Sequence, residues 1–121
     1  MKIAVSIATS ILALVVSYPA SGIDLKDYRE LRNFDAGRWE TYLFGVANGY
    51  FWANGAQVYK ELPPIYCQPN NLAVSSKMAV SLFDLELETG QVLSTGDVKP
   101  YADDTQVEMI MLKALSNRFP C

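Results

Sequence analysis

The 121-residue chain contains only two cysteines, Cys67 just past its middle and Cys121 as its last residue. Joined, they would tie the carboxyl terminus back to the middle of the chain and close everything between into one unit. Whether they join depends on compartment, because disulfides persist in oxidising surroundings and are rare in a reducing cytosol. The amino end points to the oxidising side. Met1-Lys2 is a short positive lead, residues 3–16 are an apolar run broken only by Ser6, Thr9 and Ser10, and Ser17-Tyr18-Pro19-Ala20-Ser21-Gly22 follows. This is the layout of a cleavable signal peptide, expected over residues 1–22. Cleavage after Gly22 places Ala20 at the −3 position, and cleavage after Ala20 is the competing bond. The run is shorter than the roughly 20 apolar residues that span a bilayer, and no basic stop-transfer flank follows it. The mature chain is therefore expected to be exported to the periplasm, with no stable membrane insertion.

Residues 23–121 then form a single domain with 9 basic and 13 acidic side chains. A Cys67–Cys121 disulfide in so small a domain contributes about 4 kcal/mol by the loop-entropy argument, a large share of total stability. No Cys-x-x-Cys pair is present to supply attacking and resolving thiols, so a redox catalyst is not the expected role. The whole chain has a net charge of −3, no histidine and a 50% apolar composition. Half-apolar chains fold as globules, whereas binding through nucleic-acid phosphates requires a basic surface or stripe that is missing here, so nucleic acid is not an expected partner. Without histidine there is no imidazole base or imidazole ligand, and two cysteines cannot build a four-thiolate zinc site. No metal or cofactor is expected.

Periodicity predicts an all-α fold, a bundle of about four helices with no strand pair. A short first helix is expected over 24–33, with Leu25, Tyr28, Leu31 and Arg32 on one face. The longest periodic stretch, Arg38 to Lys60, places Trp39, Leu43, Val46, Tyr50 and Ala53 on one side. Pro63, Pro64 and Pro69 break the next segment into a turn-rich connection. Ser75 or Ser76 caps a third helix whose apolar stripe is Met78, Leu82 and Leu85, widened by Ala79, Phe83 and Leu87, with Gly90 as its stop. Asp84, Glu86 and Glu88 read as a solvated face. After a second connection, Thr105 and Glu108 form a capping box for a last helix burying Val107, Ile110, Met111, Ala114, Leu115 and Phe119.

Gly45 and Gly49 stand inside the central helix, where each glycine costs up to about 1 kcal/mol relative to alanine. Close crossing of a neighbouring helix is the favoured explanation. The other is a binding face framed by Tyr42, Tyr50 and Trp52, since aromatic side chains anchor many interfaces. The carboxylate pairs Asp103/Asp104 and Glu86/Glu88 lack any spacing that builds a cleft, and Ser75-Ser76-Lys77 is not a Ser-x-x-Lys arrangement. No catalytic residue is nominated, and a binding protein rather than an enzyme is expected. An acidic binder complements a basic partner, and the loop residues in position to do so are Glu61, Tyr66, Asp97, Tyr101, Asp103 and Asp104.

The series Tyr42-Leu43-Phe44-Gly45-Val46-Ala47-Asn48-Gly49, then Tyr66-Cys67-Gln68-Pro69, and the ending Lys113-Ala114-Leu115-Ser116-Asn117-Arg118-Phe119-Pro120-Cys121 resembles the Rap1a/Tai family of immunity proteins. The resemblance covers about residues 25–121. It matches Gly45 and Gly49 to the family's glycines and Cys67 and Cys121 to its terminal disulfide. Asn48 stands where aspartate is usual, and the second cysteine pair of many relatives is missing, with Trp39 near the place of one member. The resemblance implies a periplasmic, mostly helical protein that binds a peptidoglycan amidase toxin of type VI secretion and obstructs its cleft. A homodimer is compatible with that family. The alternative is a small periplasmic chaperone or envelope assembly factor that holds proteins on an aromatic surface.

Overall fold

A computed structural model describes residues 22–121, which form four helices and one short hairpin. The expected signal peptide lies outside the described residues, Gly22 excepted. Helix α1 spans Leu25–Phe34, capped by Asp24, whose carboxylate accepts from the Asp27 amide. Helix α2, Ala36–Tyr59, begins after a single non-helical residue, and Asp35 caps it through the Arg38 amide. Helix α3, Ser76–Thr89, is capped by Ser75, the first of the two expected serines. Helix α4 spans Val107–Arg118. The Cys67–Cys121 disulfide is formed, and the Cys67 amide donates to the Phe119 carbonyl at 2.8 Å beside it. Among the described residues no helix is long and apolar enough to cross a membrane.

Helix α2 is the axis of the bundle, packing against α1, α3 and α4, while α3 and α4 pack against each other. At the α1–α2–α3 junction the rings of Tyr28, Trp39 and Phe83 are all buried. Tyr28 and Trp39 are tilted against each other, and Phe83 meets both edge-on at 4.9 and 5.3 Å, the edge-to-face contact that aromatic quadrupoles favour. Leu43, Ala47, Ala79, Val107, Ile110, Met111 and Leu115 continue the core below them. The inward face expected for α4 is the one observed, with Phe119 9% exposed at its end.

Three sequence expectations are corrected. First, a two-stranded antiparallel hairpin is present, β1 (Gln91–Val92) and β2 (Val98–Lys99), with Val92 opposite Val98. Gly90 and Gly96 enable it: both have positive φ, +74° and +86°, so the chain can leave α3 and reverse sharply. Second, the buried stripe of α3 is Ala79, Leu82, Phe83 and Glu86, while Leu85 is 54% exposed. Its i, i+3, i+4, i+7 spacing ends on a carboxylate because Tyr101 and Asn117 bring hydrogen-bond donors to that place. Glu86 is thus no part of a solvated face. On α2, likewise, Ala53 is exposed and Ala47 is buried. Third, the Thr105–Glu108 capping box is not formed. Gln106 occupies the cap position without a side-chain bond, the Val107 amide donates to the Ile23 carbonyl, and Glu108 turns to Tyr42.

Candidate functional site

The half of α2 that faces away from the bundle is the most unusual surface of the molecule. With about 100° of rotation per residue, Phe44, Gly45, Asn48, Gly49, Phe51, Trp52, Gly55, Val58 and Tyr59 fall within one half of the helix circumference. All of them are exposed, Trp52 at 68% and Tyr59 at 89%. Phe51 and Trp52 meet edge-on with centroids 5.5 Å apart. A Cβ added at Gly45, Gly49 or Gly55 would touch nothing within 4 Å. The expected helix crossing at Gly45 and Gly49 is therefore overturned, because among the described residues no neighbouring helix reaches these two glycines. The three glycines weaken the helix without any packing return among the described residues.

The edge of this face is a groove. A cleft of about 300 Å³ runs between Phe44, Ala47, Asn48 and Phe51 of α2 and the connection from Gln68 to Val74. It adjoins a second, of about 340 Å³, beside Asn54, Val58, Pro64 and Tyr66. The far wall is held in place by Asn54, whose side chain accepts from the Ile65 amide and donates to the Tyr66 carbonyl, both at 2.7 Å. Gln68 donates to the Leu72 carbonyl at 2.5 Å, while its side-chain oxygen is buried without a partner. Three prolines and the disulfide limit the motion of this wall.

The framing aromatics nominated from sequence divide between two sides. Trp52 lies on the exposed half with Gly45 and Gly49. Tyr42 and Tyr50 are half-buried on the inward side, where both hydroxyls go to Glu108 of α4: Tyr42 to a carboxylate oxygen and Tyr50 to the backbone carbonyl at 3.0 Å. Burial, followed by the Glu108 hydrogen bond, pushes Tyr42 up to about 12. Burial and the charge of Glu108 raise Tyr50 in the same direction. Both effects disfavour the phenolate, so both hydroxyls stay protonated near neutral pH and act as hydrogen-bond donors to Glu108.

The loop residues are also scattered. Tyr66 is 1% exposed, a core side chain with its hydroxyl unpartnered, and not part of a loop surface. Tyr101 is half-buried and donates to Glu86 at 2.6 Å; burial first, then this bond, raises its pKa. Asp103 pairs with Arg29 of α1 at 2.5 Å. Glu61, with φ of +58° just past α2, Asp97 in the hairpin turn and Asp104 remain exposed. The hairpin is solvent-exposed throughout, Val92 and Val98 included. Among the described residues no group of three acidic or thiol side chains converges on a possible metal position.

Sequence reading missed Phe44, Phe51, Gly55, Val58 and Tyr59 as members of the face. The signal was a second apolar stripe on the same helix, at 44, 51, 55 and 58, opposite the one that forms the core. No family model, curated protein or solved structure matches this chain.

Proposed function

We propose that this chain is a periplasmic immunity protein that binds a peptidoglycan amidase effector of type VI secretion and inhibits it by obstruction. The reading is carried by one observation: Gly45 and Gly49, two of the residues that the Rap1a/Tai resemblance matches, lie open on a helix face beside exposed Trp52 and Phe51. Glycines that meet nothing among the described residues let a partner's backbone or rings approach α2 closely. The adjacent aromatics supply the apolar anchors that dominate interface energies. The groove wall at 64–74, fixed by proline, Asn54 and the disulfide, is pre-organised and so loses little entropy on binding. A net negative inhibitor speeds its encounter with a basic cleft, with Asp97 and Asp104 as exposed contributors.

The test is affinity capture by the tagged mature protein from an envelope extract, followed by titration of the captured enzyme's peptidoglycan-cleaving activity. An amidase held one to one and silenced at equimolar inhibitor supports the assignment. Several unrelated envelope proteins, held weakly and substoichiometrically, would instead identify a chaperone that uses the same aromatic face.

A further inference from the structure

The amino-terminal segment of the domain is laced onto the start of α4. The Ile23 carbonyl accepts from the Val107 amide, Asp24 bridges to Gln106, and the Leu25 and Lys26 amides donate to the Thr105 and Asp103 carbonyls. These bonds fix where the nitrogen of Ile23 lies, 3.5 Å from the Tyr42 hydroxyl oxygen. That hydroxyl donates to one carboxylate oxygen of Glu108. The other oxygen, Oε2, is buried with no hydrogen-bond partner, and none of the ion pairs among the described residues includes Glu108. Gly22 is pressed against the same carboxylate: a Cβ at that position would overlap both oxygens. The unbroken chain thus crowds Glu108 with a neutral peptide and leaves a buried carboxylate oxygen unsatisfied, an arrangement that costs stability.

From this geometry, and resting on the export reading above, we infer that the chain is processed at the Gly22–Ile23 bond and that the α-ammonium so released docks on Glu108. In the cleavage step a signal peptidase adds water across the amide. Gly22 leaves with the leader as a carboxylate, and the Ile23 nitrogen takes up a proton to become an ammonium. Three changes follow at one place. The residue that crowds Glu108 is gone, the nitrogen changes from one donor to three, and a positive charge appears beside a carboxylate whose second oxygen had no partner. Tyr42 then bridges the pair, accepting from the ammonium and donating to Glu108. Cleavage two residues earlier, after Ala20, would retain Gly22 and the neutral peptide. The fold itself therefore distinguishes the two bonds that the leader leaves open, and processing becomes a step that tightens the mature domain.

The test begins with the full chain expressed with its own leader, recovered from the periplasm and weighed by mass spectrometry. A mature amino terminus at Ile23 is expected, and any other mature terminus overturns the processing assignment. Recovery of the uncleaved chain in the cytosol would count against export and also against processing. Docking is tested separately with chains exported on a foreign leader that begin either at Ile23 or at Ser21, each with and without Glu108→Gln. The Ile23 form is expected to melt about 5 °C higher than the Ser21 form when Glu108 is present, with the gap closing in the Glu108→Gln pair. Equal melting temperatures with Glu108 present, or a gap that survives Glu108→Gln, would show that the ammonium does not dock on this carboxylate.

Discussion

The carboxylate of Glu86 on α3 accepts the hydroxyl hydrogen of Tyr101 at 2.6 Å, although Glu86 is only 6% exposed and enters none of the ion pairs among the described residues. Asn117 on α4 donates to its other oxygen at 3.0 Å. A buried carboxylate satisfied by two neutral donors ties together α3, α4 and the segment after β2. Glu86→Ala leaves both donors without a partner and is expected to destabilise the domain by about 2–4 kcal/mol, with Tyr101→Phe costing about 1–2 kcal/mol. Urea unfolding midpoints of the two variants and their double mutant check this. Additive losses would mean that the two side chains act independently.

Reduction of Cys67–Cys121, or Cys121→Ser, frees the carboxyl-terminal end of α4 from the groove wall. The bridge spans 54 residues of sequence, and its loss is expected to lower stability by about 4 kcal/mol. Calorimetry with and without reductant measures it. An unchanged melting temperature would mean that the Cys67 to Phe119 backbone bond and the core hold the terminus unaided.

Gly45→Ala and Gly49→Ala meet no atoms and remove the backbone freedom of an exposed helical glycine. Each is expected to stabilise the free protein by about 0.5–1 kcal/mol. The same substitutions are expected to weaken binding of the proposed partner, because the added methyl stands where that partner would approach α2 closely. Trp52→Ala should leave folding within about 0.5 kcal/mol of the parent and cost about 2 kcal/mol or more in affinity, roughly 30-fold. Thermal melts beside binding titrations separate the two effects, and unchanged affinity in all three variants would remove α2 from the interface.

Tyr28 and Tyr42 are both pushed up to about 12, chiefly by burial; Asp84 and Glu108 add to the rise, and Arg32 opposes it at Tyr28. Both phenols are raised above their unfolded value near 10. Their contribution to stability is complete below pH 10 and is lost as pH climbs from 10 through about 12. Tyrosinate absorbance followed alongside helical circular dichroism should show late ionisation coinciding with unfolding. Ionisation of these two phenols near pH 10 in a still-folded protein would contradict the buried placement.

Salt should matter less. Arg32 holds Asp84 through two hydrogen bonds, at 2.5 and 2.9 Å, across α1 and α3, with its guanidinium also 2.7 Å from the Tyr28 hydroxyl. The pair is partly exposed, so Asp84→Asn is expected to cost only about 1 kcal/mol, read from the denaturation midpoint. A loss several times larger would show that the pair supports the Tyr28–Trp39–Phe83 cluster and is not merely a surface contact.

The amino-acid order alone determined the four helices, a serine cap at 75 or 76 and the stop at Gly90 for α3, the inward face of α4 and the cysteine pairing, because these follow from local periodicity, turn chemistry and the availability of one partner thiol. It did not determine which of two apolar stripes on α2 would be covered. Trp39, Leu43 and Ala47 on one side and Phe44, Phe51 and Trp52 on the other are comparably apolar, and only the arrangement of α1, α3 and α4 selects between them. The fates of Tyr66, Tyr101, Glu86 and Glu108 were settled in the same way. Each polar group's exposure depends on donors and acceptors brought from distant positions, and those meet only once the helices have packed.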